Sequence, residues 1–168
     1  DDLYIYTDGA SRGNPGPSAI AFIFVKNNKE MIYEFKEYVG KGTNNTAEYN
    51  AIIKALEKAT EVTRKFVKVY SDSQLVINQI NKDFRIKKPH LKKLANKVYE
   101  LTQYFESVEF FHISENNKFI KIADRLCNEC LNENLGENNE KRKDTSWRLF
   151  DKKAPRKELD LQKLRRIS

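Results

Sequence analysis

Four acidic residues of this chain are predicted to lie where an apolar segment ends or a helix begins: Asp8, Glu48, Asp72 and Asp124. The segments around them are YTDGASRGNPG at 6–16, TNNTAE at 43–48, YSDSQ at 70–74 and ADRL at 123–126. A carboxylate at such a position can point at a ligand, but four converging carboxylates repel one another unless cations neutralise them. The set therefore predicts a site for divalent metal ions.

The chemistry of the predicted ligands narrows the choice of metal. All four side chains offer oxygen, and no cluster of Cys or His accompanies them in the sequence. Mg²⁺ and Mn²⁺ prefer oxygen ligands, whereas Zn²⁺ sites are usually rich in Cys and His. The alternative interpretation is that these acids are ordinary helix caps and surface charges.

The four segments, in this order and at about this spacing, resemble those of ribonuclease H of type 1 over roughly residues 3–131. The resemblance implies an endoribonuclease that hydrolyses the RNA strand of an RNA–DNA hybrid with two metal ions and leaves 5′-phosphate and 3′-hydroxyl ends. The ions would be Mg²⁺, with Mn²⁺ as a substitute. Asp8 would bridge both ions, Glu48 and Asp72 would complete the leaving-group side, and Asp124 would hold the ion on the nucleophile side.

The resemblance also implies which residues bind the substrate. Four match positions at which the family reads the ribose 2′-hydroxyl, a group that is both donor and acceptor: Gly9, Asn14, Asn44 and Asn45. Glu48 would accept a hydrogen bond from the same hydroxyl. Lys41 and Thr43 match positions that grip a DNA phosphate, a contact that positions the hybrid without reading its sequence. Asn14 and Asn44 have a second interpretation as turn and helix-cap residues, and the two roles can coexist.

The chain departs from the family in the loop before Asp124. Family members often place there a His, or an Arg–Glu pair, that helps to shuttle protons and release product, but here the loop reads SENNK at 114–118. His112 is close but is predicted to lie in a strand. Glu115 and Lys118 are equally eligible substitutes, so the auxiliary role stays open among the three.

A basic stretch at 82–97 holds seven Lys and Arg residues against one acid, with apolar residues between them. Some family members insert a basic helical protrusion at this point, whereas this chain moves directly into its next helix and resembles the compact form. The lysines can contact the phosphate backbone of a hybrid. They can equally form an ordinary solvated helix face.

Apolar periodicity predicts the elements that carry these residues. Three strands come first, and helices then alternate with two further strands. The strands are predicted near 3–6, 19–25, 31–35, 66–70 and 108–113, and the helices near 44–59, 73–80, 91–105 and 119–131. Asn44 or Asn45 is predicted to cap the first helix, which places Glu48 in its first turn. The order predicts an α/β fold of the ribonuclease H type, with a five-stranded mixed sheet, three antiparallel strands then two parallel, and helices on both faces.

The length of 168 residues suits one domain, predicted at 1–133, followed by a flexible tail at 134–168. Residues 1–134 hold 20 Lys and Arg against 18 Asp and Glu, while residues 135–168 hold 11 against 6 and so carry most of the net charge of +7. A basic protein with an acidic site fits a polyanionic substrate. The tail contains one apolar group, Trp147, Leu149 and Phe150, and is expected to bind nucleic acid or another protein.

The remaining features predict the setting of the protein. Cys127 and Cys130 lie three apart among apolar residues, which indicates small core residues rather than a zinc site. The sequence contains no apolar run of about 18 residues and no signal-peptide pattern. We therefore expect an intracellular monomer, in the cytoplasm or the nucleus or nucleoid, that is neither secreted nor bound to a membrane. Because the chain begins at Asp1, it is expected to be trimmed or part of a longer protein.

Two alternatives stand beside a free-standing ribonuclease H. The chain can be the ribonuclease H domain of a reverse transcriptase polyprotein, or a non-catalytic module that binds hybrids. Four intact acids argue against the non-catalytic module, because their repulsion without metal would cost stability.

The tail should be separable from catalysis, because all four acids and every predicted core element precede it. A chain ending near Glu133 should keep its turnover rate but bind hybrid less tightly at low salt, since salt screens phosphate attraction. Hybrid binding measured across a salt series should show the difference closing as salt rises. A shortened chain that is unfolded, or inactive at saturating substrate, would show instead that Trp147, Leu149 and Phe150 dock onto the domain.

Overall fold

The computed structural model describes residues 2–27, 29–82 and 85–136, and these residues form five strands and four helices. In chain order they are β1 (Asp2–Ser11), β2 (Gly16–Val25), β3 (Met31–Gly42), α1 (Asn44–Ala59), β4 (Phe66–Ser71), α2 (Gln74–Ile80), α3 (Pro89–Thr102), β5 (Ser107–His112) and α4 (Lys118–Leu135). None of the helices in this described part is long and apolar enough to cross a membrane.

The strands form one sheet in the order β3-β2-β1-β4-β5. β1, β2 and β3 pair antiparallel, whereas β4 pairs parallel with both β1 and β5. This arrangement confirms the predicted five-stranded mixed sheet. β1 lies at the centre of the sheet and runs parallel to its neighbour β4. The residues that follow β4 therefore lie near the side chains at the carboxyl end of β1.

Successive side chains of β1 point to opposite faces of the sheet, as the pleat of a strand requires. Leu3 and Ile5 pack into a core cluster with α1 and α3, whereas Tyr6 packs with Phe119 of α4. The helices therefore cover both faces, as predicted. By the same alternation Asp8 lies on the face that carries α4.

The apolar core fixes the central strands rigidly. Phe22 and Phe24 of β2 are fully buried, and the Phe22 ring stacks on Phe35 of β3 with 4.9 Å between centroids. Burying one such side chain contributes roughly 1.5–3 kcal/mol. Ile23 and Val25 of the same strand are buried in the cluster on the opposite face, so β2 is packed on both sides and gives a firm base for side chains at its end.

β1 and β3 are both longer than the sequence predicts. β1 continues through Asp8 because Gly9–Ser11 pair in register with Ser18–Ile20 of β2. β3 reaches Gly42, which pairs with Gly16. Asp8 therefore lies inside a strand rather than at its end, and the turn of the glycine-rich segment occupies residues 12–15.

The start of α1 corrects one prediction. Thr43, not Asn44 or Asn45, is the N-cap, and its Oγ1 accepts a hydrogen bond from the Thr46 amide at 3.1 Å. Both asparagines lie inside the helix, so Glu48 falls in the second turn rather than the first. The Asn44 side chain instead accepts a hydrogen bond from the Ser11 amide of β1.

α4 ends two residues beyond the predicted domain boundary. Asn117 caps its start, Leu135 is its last residue, and Gly136 closes it in the left-handed conformation that glycine adopts readily. Leu135 packs against a small cluster of Ala19, Cys130 and Leu131. A boundary after Glu133 would cut this helix, so a cut after Gly136 suits a test of the tail better. The predicted tail group Trp147, Leu149 and Phe150 lies outside the described residues.

Candidate metal centre and nucleic-acid site

Asp8 is the most buried acid of the predicted set, and only 5% of it is exposed. It pairs in register with Ala21 of β2. Its Oδ2 is buried and has no hydrogen-bond partner among the described residues. A buried carboxylate oxygen without a donor is costly, so this atom points to a ligand.

Glu48 reaches Asp8 because α1 approaches β1 closely at Gly9. A Cβ added at Gly9 would overlap the main-chain carbonyl of Ala47, so any other residue would push α1 away. The Gly9 amide donates to Glu48 Oε1 at 3.1 Å. This bond fixes one carboxylate oxygen of Glu48 next to the strand that carries Asp8.

Asp72 completes a group of three. It follows the last residue of β4, and the Ser71 Oγ accepts from the Ser73 amide at 3.0 Å where α2 begins. Asp8, Glu48 and Asp72 each offer one oxygen, and these oxygens lie within 4.8 Å of one another. Three carboxylate oxygens at this separation can hold a divalent cation.

Asp124 lies beside this group rather than in it. It is exposed on α4, and within the described chain the metal-sized group does not include it. Its negative charge nevertheless raises the pKa of Asp8, Glu48 and Asp72. The fourth predicted acid is therefore within electrostatic reach of the other three.

The pKa shifts show how strongly the site disfavours negative charge. Burial, followed by the charges of Asp72 and Asp124, raises the pKa of Asp8 to about 8. Burial first and Asp8 second raise the pKa of Glu48 well above its usual value. Burial also raises the pKa of Asp72. An all-oxygen group with an unpaired buried oxygen and this much repulsion fits a hard divalent cation, which would reverse the electrostatic cost.

The predicted hydroxyl-reading residues meet where β1 ends and α1 begins. The Asn14 Oδ1 accepts a hydrogen bond from the main-chain amide of Asn44 at 3.0 Å. The Asn44 Oδ1 in turn accepts one from the main-chain amide of Ser11 at 2.9 Å. Both asparagines thus stabilise the turn and the start of the helix, which was the alternative role predicted for them. Asn45 follows in the first turn of α1, and Gly9 lies behind it against Ala47.

The two predicted phosphate-binding residues flank the same helix start. Lys41 is exposed on β3, where it pairs with Pro17, and Thr43 is the N-cap of α1. The N-terminus of a helix and a nearby ammonium group both favour an anion. The geometry is compatible with a phosphate contact in addition to the capping role of Thr43.

The structure separates the three auxiliary candidates. His112 is the last residue of β5 and pairs with Ser71 next to Asp72, whose pKa it lowers, while Glu115 raises that pKa. The Lys118 ammonium instead lies 5.0 Å from the ring centroid of Phe119. His112 and Glu115 are therefore the two candidates that interact electrostatically with Asp72.

Sequence reasoning missed two groups that touch the site. The Cys127 thiol, correctly predicted to be a free core cysteine, also donates to the main-chain oxygen of Asp8 at 3.4 Å. Asn128 lies between Arg12 and Asp124, with its Nδ2 3.5 Å from the Asp124 Oδ2. The four-residue spacing from Asp124 to Asn128 on a predicted helix was the available signal.

Known proteins with similar sequences match most of this chain. A family model described as reverse transcriptase-like matches residues 6–130. A ribonuclease HI of Halobacterium salinarum is 34% identical over 131 residues, covering 78% of this chain and 65% of that protein. A ribonuclease H of Caldicellulosiruptor saccharolyticus is 34% identical over 137 residues, covering 77% of this chain and 90% of that protein. A bifunctional protein of Mycobacterium tuberculosis is 32% identical, and the chain spans 35% of its length.

Solved structures agree with these sequences. RNase H1 of Halobacterium salinarum superposes with a TM-score of 0.74 at 34% identity and covers 79% of this chain and 99% of its own. LC11-RNase H1, solved in complex with an RNA/DNA hybrid, gives a TM-score of 0.73 at 33% identity with the same coverages. The fold and the acidic cluster thus define a class of metal-binding α/β proteins. The chain belongs to the ribonuclease H family, which confirms the resemblance drawn from its four acidic segments.

The repulsion in the site predicts how Asp8→Asn changes stability in metal-free buffer. The folded state raises the pKa of Asp8 from 3.8 to about 8, so between these values the folded protein keeps a proton that the unfolded chain releases. Stability in that window therefore falls as pH rises, and Asp8→Asn removes this loss. We expect the gain in Tm from Asp8→Asn to grow from pH 5 to pH 8 in thermal melts with EDTA.

The matched control for this substitution is Glu106→Gln, which neutralises an exposed acid ahead of β5. It should leave Tm nearly unchanged over the same pH range. A gain from Asp8→Asn that is flat with pH, or that also appears for Glu106→Gln, would contradict the assignment of the repulsion to Asp8.

Proposed function

We propose that this chain is an endoribonuclease that hydrolyses the RNA strand of RNA–DNA hybrids. The observation that carries the proposal is the group of three carboxylate oxygens within 4.8 Å, with the Asp8 Oδ2 buried and unpaired among the described residues. Membership of the ribonuclease H family and the likeness to an RNase H1 solved with an RNA/DNA hybrid support it.

The four acids would hold two Mg²⁺ ions, with Mn²⁺ as a substitute. Asp8, Glu48 and Asp72 would hold them through the oxygens that lie within 4.8 Å of one another, and Asp124 would contribute on the nucleophile side. When bound, such ions activate water, stabilise the charge that develops on the phosphate, and stabilise the 3′ oxygen as it leaves. The protein supplies the fixed ligand positions, and the charge of the cations would offset the burial and repulsion that raise the pKa of these carboxylates.

Selection for RNA would come from the residues at the start of α1. Asn14, Asn44 and Asn45 present carboxamides, which can both donate to and accept from a 2′-hydroxyl. The bond from the Asn44 main-chain amide to Asn14 and the bond from the Ser11 amide to the Asn44 side chain brace this surface, so little entropy is lost when a ribose binds. Lys41 and Thr43 would hold a phosphate of the DNA strand beside it.

Proton movement near the leaving group would fall to His112 or Glu115. Both influence the pKa of Asp72, and both lie on the exposed end of β5 or in the loop after it, where water and product can reach them. Lys118, the third candidate, lies against the ring of Phe119 instead.

The wider setting is also part of the proposal. We place the activity inside the cell, in a monomer whose residues 137–168 bind nucleic acid or another protein through their basic charge. The reverse transcriptase-like description of the matching family model favours, as a second candidate, the ribonuclease H domain of a reverse transcriptase polyprotein. The chemistry at the four acids would be the same in both.

Cleavage of matched duplexes is the direct experiment. With Mg²⁺, labelled RNA opposite DNA should be cut, while RNA–RNA and DNA–DNA duplexes of the same sequence should not. Asp72→Asn should lower kcat about a thousandfold or more, since several kcal/mol of transition-state stabilisation depends on the ions. Circular dichroism should show an unchanged fold, because the change removes a repelling charge.

Two outcomes would count against this function. Equal cutting of the DNA–DNA duplex by the unaltered chain would remove the ribonuclease H assignment. A near-normal rate for Asp72→Asn in Mg²⁺ would remove the metal assignment while leaving the fold untouched.

The amide-bearing surface can be tested separately. Replacing Asn14 or Asn45 by Ala should lower the preference for a ribose over a deoxyribose at the cleavage site about fivefold, the equivalent of one hydrogen bond of about 1 kcal/mol. The ratio of kcat/KM for a hybrid with and without a single 2′-hydroxyl measures this. Asn27→Ala, at the opposite end of β2, is the control and should leave the ratio unchanged. An unchanged ratio in both site variants would place the reading of the hydroxyl elsewhere.

A further inference from the structure

A line of polar contacts leads from the end of β1 across α4 to the fourth acid. We propose that Asn128, oriented by Arg12, is a positioning residue that aims the carboxylate of Asp124 at the metal centre. This inference rests on the proposed function, since it assigns how one of the four acids is held in place.

Each residue in this line donates a hydrogen bond to the next, from Arg12 to Asn128 and from Asn128 to Asp124. Arg12 Nη2 donates to the Asn128 side-chain Oδ1 at 3.3 Å and lies 3.5 Å from its main-chain oxygen. The Asn128 Nδ2 donates to the main-chain oxygen of Asp124 at 3.1 Å and lies 3.5 Å from its Oδ2. The amide side chain therefore touches the arginine with its oxygen and the aspartate with its nitrogen.

Asp124 needs such a contact more than the other three acids do. Asp8 and Glu48 are buried, and the Gly9 amide fixes one oxygen of Glu48. Asp124 is exposed on α4, where an aspartate side chain exchanges between rotamers unless a neighbour holds it. A ligand that samples several rotamers binds a cation more weakly, because ordering it costs entropy.

The helix itself is already fixed on its inner side. Cys127 is fully buried, and its thiol donates to the main-chain oxygens of Asp8 at 3.4 Å and Ala19 at 3.6 Å. This contact adds to the apolar packing that holds α4 against the sheet. It does not reach the exposed face, where Asp124 and Asn128 stand one turn apart, so the carboxylate needs a second restraint there.

An amide is chemically suited to this task and an arginine alone is not. Arginine has donors and no acceptor, so its contact with Oδ1 fixes which way the Asn128 amide points and leaves Nδ2 toward Asp124. A guanidinium placed directly on Asp124 would compete with a cation for the same oxygens. The Asn128 amide between them orients the Asp124 carboxylate without placing a full positive charge next to it.

The experiment compares Asn128→Ala with Asn134→Ala. Asn134 makes the same kind of bond on the same helix, from its Nδ2 to the main-chain oxygen of Cys130 at 2.8 Å, but it lies beside none of the four acids. Three quantities are measured for each variant: the Mg²⁺ concentration for half-maximal cleavage, the Kd of MnCl₂ for the protein without substrate by calorimetry, and Tm. Since alanine favours helix, α4 should fold in both.

We expect Asn128→Ala to raise the half-maximal Mg²⁺ concentration and the Kd for Mn²⁺ about tenfold, the usual range for residues that orient metal ligands. KM for hybrid at saturating Mg²⁺ should be unchanged, and Asn134→Ala should match the unaltered chain. Arg12→Ala should give a smaller shift in the same direction. The double variant of Arg12 and Asn128 should be no worse than Asn128→Ala alone, because both act through one contact.

Two results would overturn the inference. One is equal metal dependence of Asn128→Ala and Asn134→Ala. The other is an Arg12→Ala effect that appears only in KM and its salt dependence, which would make Arg12 a substrate contact. Both differ from failure of the proposed function, in which the unaltered chain itself would neither bind Mn²⁺ nor cut hybrid.

Discussion

Three carboxylates that repel one another are held within 4.8 Å by elements whose own packing has nothing to do with charge. Asp8 is carried by the central strand, Glu48 by a helix pressed onto that strand at Gly9, and Asp72 by the end of the neighbouring parallel strand. Each element is anchored by a buried apolar face, and that burial outweighs the cost of bringing the acids together. Without a cation the site is a local source of instability in an otherwise well-packed domain.

The same arrangement explains why the sheet is mixed. An antiparallel β1–β2 pair places the glycine-rich turn of residues 12–15 after the end of β1, and a parallel β1–β4 pair brings Asp72 to the same edge. Helices on both faces then deliver two further acids from opposite sides, Glu48 from α1 and Asp124 from α4. A fully antiparallel sheet would put the end of β4 at the far edge, where Asp72 would be out of reach.

The sequence was sufficient to predict the order of the strands along the chain, their pairing type and the core role of Cys127, and its motifs singled out the three acids that the structure groups. These successes share a cause, because short motifs and apolar periodicity are local signals. The sequence was not sufficient where tertiary contacts override local preference. Gly9–Ser11 have weak strand propensity, yet they continue β1 because β2 pairs with them. Thr43 is the cap in place of the predicted asparagines, and the Asn44 side chain instead contacts Ser11, 33 residues away in the chain. The same limit hid the link from Arg12 to Asn128.

The four acids do not share the cost of the site equally. Burial is the main cause of the raised pKa at Asp8, Glu48 and Asp72, whereas Asp124 stands in solvent, where its charge is well hydrated. A cation therefore gains most from the buried group, whose carboxylates have lost their hydration and have few other partners. The exposed carboxylate of Asp124 must instead exchange hydrogen bonds with water for contact with the cation. The affinity that it adds for the cation therefore depends on how well the orientation of its side chain is fixed. Orientation from α4 thus matters for the exposed acid in the way that burial matters for the other three.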